Sequence, residues 1–222
     1  MNTTRRRLGA LLAPLFALCL LASGAGTSAL AADPDPAAAR TVTKADFPTV
    51  KQIAKIYPFL RGGSPEISRA VALETYGSDC VNFARAYRAS SVKYLTYLQR
   101  DGGLPFFDGR EDPTFFVYEF ATRAKAKKGF ARLTSYAERC VGTHTEDDLT
   151  RTMRPVKVPK LGDAQVGFRT TSTYVGSSPA QEVEAYVLKG KRIERSWIQR
   201  DTKRIDSSHV VQMARALART AR

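Results

Sequence analysis

The sequence predicts an α+β domain, an antiparallel sheet with helices packed mainly on one face. Three observations lead there. Segments with strand-like patterning outnumber those with helical patterning. The last two strands flank "KGK" (189–191), a short turn around Gly190 that joins neighbours antiparallel. Two segments, 122–141 and about 208–221, carry a 3.6-residue apolar stripe and so need a sheet to pack on.

The elements follow in chain order. Arg5, Arg6 and Arg7 precede an apolar run from Leu8 to Ala22, and Ala29-Leu30-Ala31 is the small-x-small pattern of a signal-peptidase site. Residues 1–31 therefore read as a secretory signal peptide, cleaved after Ala31. Its apolar core is short for a membrane span, and none is expected in the mature chain. Thr4–Leu8 partly fits a twin-arginine signal, so the route, that one or general secretion, stays open. Leu18, not a small residue, precedes Cys19, which argues against a lipid anchor. Losing three arginines takes the net charge from +14 to +11. Residues 32–44, "ADPDPAAARTVTK", read as a flexible leader, and 45–222 as a single domain.

"PTVKQIAKIYPFL" (48–60) suggests a short helix burying Val50, Ile53, Tyr57 and Leu60. "SVKYLTYL" (91–98) reads as a strand. "GGLPFFDGREDP" (102–113) is a loop by its Gly, Pro and Asp content. "FFVYEF" (115–120) is a strand with Phe116, Tyr118 and Phe120 on one side. In the 122–141 helix, Ala126, Phe130, Leu133, Ala137 and Cys140 form one stripe, with Thr122 placed to cap its start and Gly142 to end it. The run His144, Glu146, Asp147, Asp148 reads as a solvated acidic loop, with a metal site as the sharper alternative. "AQVGFRTTSTY" (164–174) alternates as a strand, and "VEAYVL" (183–188) and "RIERSWIQ" (192–199) form the hairpin. The final helix buries Val210, Ala214, Leu217 and Ala221, with Ser207 or Ser208 as its cap.

Cys19 leaves with the signal, so Cys80 and Cys140 remain. An even count in an exported protein favours a disulfide, and closing so long a loop stabilises by about 4 kcal/mol in the chain-entropy model. Zinc would want four close ligands, whereas the two histidines, His144 and His209, are far apart in sequence. No metal or other cofactor is expected.

The order of parts resembles the PknH-like extracellular sensor domain family of actinobacteria. The resemblance runs over roughly 70–222. It rests on Cys80, then "FFVYEF", then "ATRAKAKKGFARLTSYAERC" with Cys140, then "LGDAQVGFRT", the "VLKGKRIERSWIQ" hairpin and an Ala-rich last helix. It implies an antiparallel sheet with a cleft, a ligand-sensing role without catalysis, and Cys80 and Cys140 as disulfide cysteines. Members attached to kinases tend to carry two bridges, whereas this chain has cysteines for one.

A search for enzyme motifs supports the same reading. Ser90-Ser91-Val92-Lys93 contains Ser-x-x-Lys, but the Ser-Asp-Asn and Lys-Thr-Gly partners of serine acylases are missing, as is a G-x-S-x-G elbow. Two features stand out instead. Phe106, Phe107, Phe115, Phe116 and Phe120 put five of eleven phenylalanines within fifteen residues, and Phe106 and Phe107, in a loop, are candidates to line a ligand pocket or to plug the core. Lys125, Lys128 and Arg132 on one helix, and Arg215 and Arg219 on the other, lie opposite their apolar stripes as basic lines. The leading expectation is a non-catalytic ligand-binding or sensor-like domain, secreted or associated with the cell envelope, for an extracellular ligand. The alternative is an accessory protein held on anionic wall polymers or lipid headgroups by those lines. Nucleic acid is not an expected partner of an exported protein.

Overall fold

The computed structural model describes residues 41–70, 73–76, 79–81, 83–87, 89–201 and 203–220. They belong to one compact unit, Pro36–Arg222. The expected signal peptide, 1–31, the expected leader up to residue 40, and Ala221 lie outside the described residues.

Among the described residues, eight strands form one antiparallel sheet. They are β1 (Ser64–Ala70), β4 (Ser91–Leu98), β5 (Asp112–Glu119), β6 (Gly142–Glu146), β7 (Leu149–Pro155), β8 (Ala164–Tyr174), β9 (Ala180–Lys189) and β10 (Arg192–Asp201). Their order across the sheet is β1-β4-β5-β10-β9-β8-β7-β6. β2 (Leu73–Tyr76) and β3 (Phe83–Tyr87) pair as a separate hairpin. The helices are α1 (Val50–Ile53), α2 (Arg123–Arg139) and α3 (Ser207–Thr220).

The strands at 91–98 and 164–174 occupy the expected residues, and Gly190 makes the β9–β10 turn at φ 60°. The acidic run behaves differently from its reading as a loop. Glu146 pairs with Leu149 across a two-residue turn, so β6 and β7 form a hairpin with His144 opposite Arg151. Asp147 takes φ 52° there, a conformation that Asp tolerates better than most side chains.

The helices do not share a face of the sheet, which corrects the expected layering. Tyr118, Tyr186, Leu188, Ile193 and Phe168 form one core with Ala126, Phe130, Leu133 and Tyr136 of α2. Phe115, Val117, Val183, Ala185 and Ile198 form a second core with Val210, Met213, Ala214 and Leu217 of α3. Neighbouring residues on a strand point to opposite sides, so the two cores lie on opposite faces. The physical reason is visible in β5 and β9. Phe115, Val117 and Tyr118, and Val183 to Leu188, are buried, and a strand with buried apolar residues on both sides needs cover on both.

The fold also starts earlier than residue 45. Val42 is fully buried in the α3-side core, and Asp46, in a 3-10 turn over Lys44–Asp46, is ion-paired to Arg192 at 2.8 Å. The expected helix over 48–60 is divided. Thr49 and Gln52 make a capping box for the single turn of α1, and Pro58 then starts a separate 3-10 turn, Pro58–Leu60. Ile53, Tyr57 and Leu60 are buried as expected, whereas Val50 is half-buried.

α2 has the expected cap, with Thr122 Oγ1 accepting from Lys125 N at 3.2 Å, and its stripe is buried. Cys140, just past its end, forms a disulfide with Cys80 across 5.4 Å between Cα atoms. The bridge ties α2 to the segment between β2 and β3. α3 is capped by Asp206 and not by a serine, since Asp206 Oδ1 accepts from Ser208 N at 2.8 Å. Ser207 instead accepts from Arg169.

Candidate ligand-binding face

The α2 side of the sheet carries a cluster that no single segment of sequence contains. Cross-strand register sets Tyr94 of β4 beside Phe116 of β5, Phe116 beside Arg195 of β10, and Arg195 beside Tyr186 of β9. One row further along, Thr96, Thr114, Trp197 and Glu184 stand side by side. All project to the same face because each shares the parity of its strand's α2-facing residues.

Arg195 is the centre. Its guanidinium carbon lies 4.7 Å from the Phe116 ring centroid, 5.0 Å from Trp197 and 5.6 Å from Tyr186. Each is within cation–π range. Its Nε donates to Glu184 Oε2 at 2.7 Å, and Tyr186 Oη donates to the same oxygen. Burial works against the charge of Arg195, but Glu184 beside it prevails and holds the guanidinium above its ordinary pKa. Burial also pushes the Tyr186 phenol well up, so it stays protonated and keeps donating. Arg195 is therefore a fixed cation with aromatic planes around it. Tyr94 stacks on Phe116 at 5.4 Å and extends those planes toward β1.

The edges of the cluster have hydrogen-bonding capacity left over. Trp197 Nε1, Thr170 Oγ1 and Asp112 Oδ1 are buried without a hydrogen-bond partner among the described residues. Gln199 donates to the other Asp112 oxygen at 3.2 Å. Burial raises the Asp112 pKa against that bond. An unpaired buried polar atom costs stability, and such atoms beside half-buried aromatic rings make a surface suited to receiving a ligand.

The expected site residues are placed elsewhere. Phe106 and Phe107 sit in a 3-10 turn, Pro105–Asp108, and meet edge-on at 5.9 Å. Phe107 is 80% exposed, so it does not plug the core, and Phe106 is half-buried. The turn stands at the far end of β10, where Arg200 Nε donates to Gly109 O at 3.0 Å, three residues beyond Trp197. Lys125, Lys128 and Arg132 are exposed on α2, and Arg215 and Arg219 on α3. Because those helices cover opposite faces, a full sheet and its cover separate the two lines by roughly 20 Å. That is about two screening lengths at 0.1 M salt, so they do not merge into one field. His209 is half-buried against Glu111, with Nδ1 and Oε2 at 2.6 Å.

Sequence reasoning missed Arg195, Glu184 and Trp197. The signal for the ion pair was there: one charged residue, Glu184 in "VEAYVL" and Arg195 in "RIERSWIQ", at a position that alternates with apolar neighbours of the same face. Without the register, a charge in a strand reads as solvent-facing.

No family model matches the sequence, and no curated protein matches it. A solved structure does match in fold: the extracellular domain of PknH from Mycobacterium tuberculosis. It has a TM-score of 0.51 and 12% sequence identity, covering 82% of this chain and 98% of that one. At that identity the likeness is one of fold. The chain thus shares the fold of that extracellular domain, and no helix among the described residues is long and apolar enough to cross a membrane.

Proposed function

We propose that this chain is an exported, non-catalytic ligand-binding domain of the cell envelope, and that its ligand sits on the Arg195 face. The carrying observation is the fixed Arg195 guanidinium among Phe116, Tyr186 and Trp197, with Trp197 Nε1 beside it and without a hydrogen-bond partner among the described residues. A fixed cation and aromatic planes recognise a ligand that has a flat or apolar part and a hydrogen-bond acceptor. The disulfide fits an oxidising compartment, and the fold shared with an extracellular domain supports the sensor-like reading.

Trp197 is the chain's one tryptophan, so its fluorescence reports on this face alone. The disulfide-bonded protein is titrated with fractions of native envelope extract, and what co-purifies is identified by mass spectrometry. An active fraction should shift the emission of Trp197. The same species should be captured much less well by Phe116→Ala, a variant that keeps the tryptophan. Equal capture by a folded Phe116→Ala protein would remove the ligand from this face.

A second reading keeps the exposed line Lys125, Lys128 and Arg132 as a contact for anionic wall polymers or lipid headgroups, acting without the α3 line. Individual exposed charges hold weakly, so such adhesion rests on several acting together.

A further inference from the structure

On the opposite, α3-covered face, four cations crowd around one hollow. Arg154 of β7 and Arg169 of β8 are directly opposed in register. Like charges so placed repel and destabilise a sheet. Lys157, just past β7, and Arg204, in the connection to α3, line the same hollow together with Ser207 and Ser208. It is an open cavity of about 470 Å³, and it adjoins a second of about 400 Å³ that shares Arg169, Arg204 and Ser207.

Among the described residues, the one carboxylate on these walls is Asp206, which lines the smaller cavity. It is engaged as the cap of α3, with Oδ1 on Ser208 N at 2.8 Å, and that bond holds its carboxyl below the usual range. Four cations therefore face one carboxylate. Burial, and then the charge of Arg204, lower the Arg169 pKa, and Arg154 adds to the effect. Arg169 is nevertheless fixed in place. Its Nη2 donates to Ile205 O at 2.7 Å and to Ser207 Oγ at 2.6 Å. Its Nε is buried without a partner among the described residues.

A fold keeps such mutual repulsion at a cost unless something relieves it. We infer that this hollow is a binding site for a phosphate group, held by Arg154, Lys157, Arg169 and Arg204 and by the Ser207 and Ser208 hydroxyls. Guanidinium groups match the oxygens of a tetrahedral oxyanion, and a lysine supplies a point charge. Pre-fixing Arg169 through Ile205 O reduces the ordering that binding would require. The site is separate from the Arg195 face and does not depend on the reading of that face.

Calorimetric titration of the disulfide-bonded protein at low ionic strength tests it. The probes are inorganic phosphate, glycerol phosphate and vesicles containing phosphatidic acid, with sodium chloride at matched ionic strength as the control. Saturable one-to-one binding of a phosphate probe, not reproduced by chloride, is expected. Exposed Arg154→Gln and Arg204→Gln should each weaken it about tenfold, the scale of one charge-assisted contact. Arg100→Gln, at an exposed arginine just past β4 and several strands away from β7 and β8, should leave it unchanged. Binding of the soluble probes assigns a free phosphate or phosphomonoester. Binding of vesicles alone, lost in the same two arginine variants, assigns a lipid headgroup. Absence of saturation with every probe, or equal binding by folded Arg154→Gln and Arg204→Gln proteins, would overturn the site.

Discussion

The two faces of the central strands handle buried charge in opposite ways. Under α3, Arg192 is enclosed between Asp46, at 2.8 Å, and Glu119, and all three side chains are nearly inaccessible. On the α2 side, Arg195 is paired with a single carboxylate and stays 15% exposed among half-buried aromatic rings. Three residues apart on one strand, these arginines face away from each other. The first closes a polar network that pins the start of the fold to the sheet. The second is fixed at its root and open at its tip. A buried cation with two carboxylates serves the architecture, whereas one with a single carboxylate and exposed π faces is available to a partner.

The largest test of this contrast is stability. Arg192→Met should cost about 3–5 kcal/mol in urea denaturation, because it leaves Asp46 and Glu119 buried without their cation. On the α2 side the comparable structural constraint is covalent. Cys80→Ala/Cys140→Ala should lose about 4 kcal/mol, less any strain relieved, while keeping its ligand-binding activity. If Arg192→Met unfolds no more readily than the parent protein, the closed network is not what holds the amino-terminal turn.

A smaller effect depends on pH. Glu194 of β10 lies on the α3 side, nearly inaccessible, with neither carboxylate oxygen hydrogen-bonded among the described residues. Burial raises its pKa from 4.5 to about 7, against the opposing pull of Lys189 and Arg192. The folded state therefore holds a proton that the unfolded chain releases. The Glu194 contribution is fully present below about 4.5 and is lost as pH rises through about 7. The loss amounts to roughly 3 kcal/mol at the upper end. Glu194→Gln should flatten that slope in melts recorded from pH 4 to 8 and raise stability at pH 8. A parental slope that persists in Glu194→Gln would place the titrating group elsewhere.

The smallest effect belongs to the surface. Lys125→Glu/Lys128→Glu/Arg132→Glu should change stability by less than about 1 kcal/mol. It should lower retention on isolated envelopes at low salt, and the loss should shrink as salt rises. Full retention at low salt would reduce the α2 line to an ordinary solvated surface.

Local patterning made much of the fold legible. β4 and β8 read correctly because their alternation is carried by adjacent residues, and α2 because its stripe recurs every turn. The cysteine pair followed from compartment and count. The missed strands of the eight-stranded sheet are its least apolar ones. β1 and β6 are the two edges of the sheet, and "SPEISRA" and "GTHTE" have few apolar residues to alternate. In β7, Leu149, Arg151 and Met153 are all buried, but the arginine breaks the apolar pattern.

By itself, then, the sequence determined the local periods, the antiparallel hairpin, the Cys80–Cys140 pairing and the basic character. These are properties of neighbouring residues or of the whole composition. Only the tertiary structure decided which face each helix covers, and with it that the two basic lines are separate. It also joined Asp46 to Arg192, 146 positions apart, and gathered Phe116, Glu184, Tyr186 and Trp197 around Arg195. The physical reason is strand order. β5 meets β10 from a distant part of the chain, and a charged residue in a strand shows whether it is paired or exposed only when its cross-strand neighbours are known.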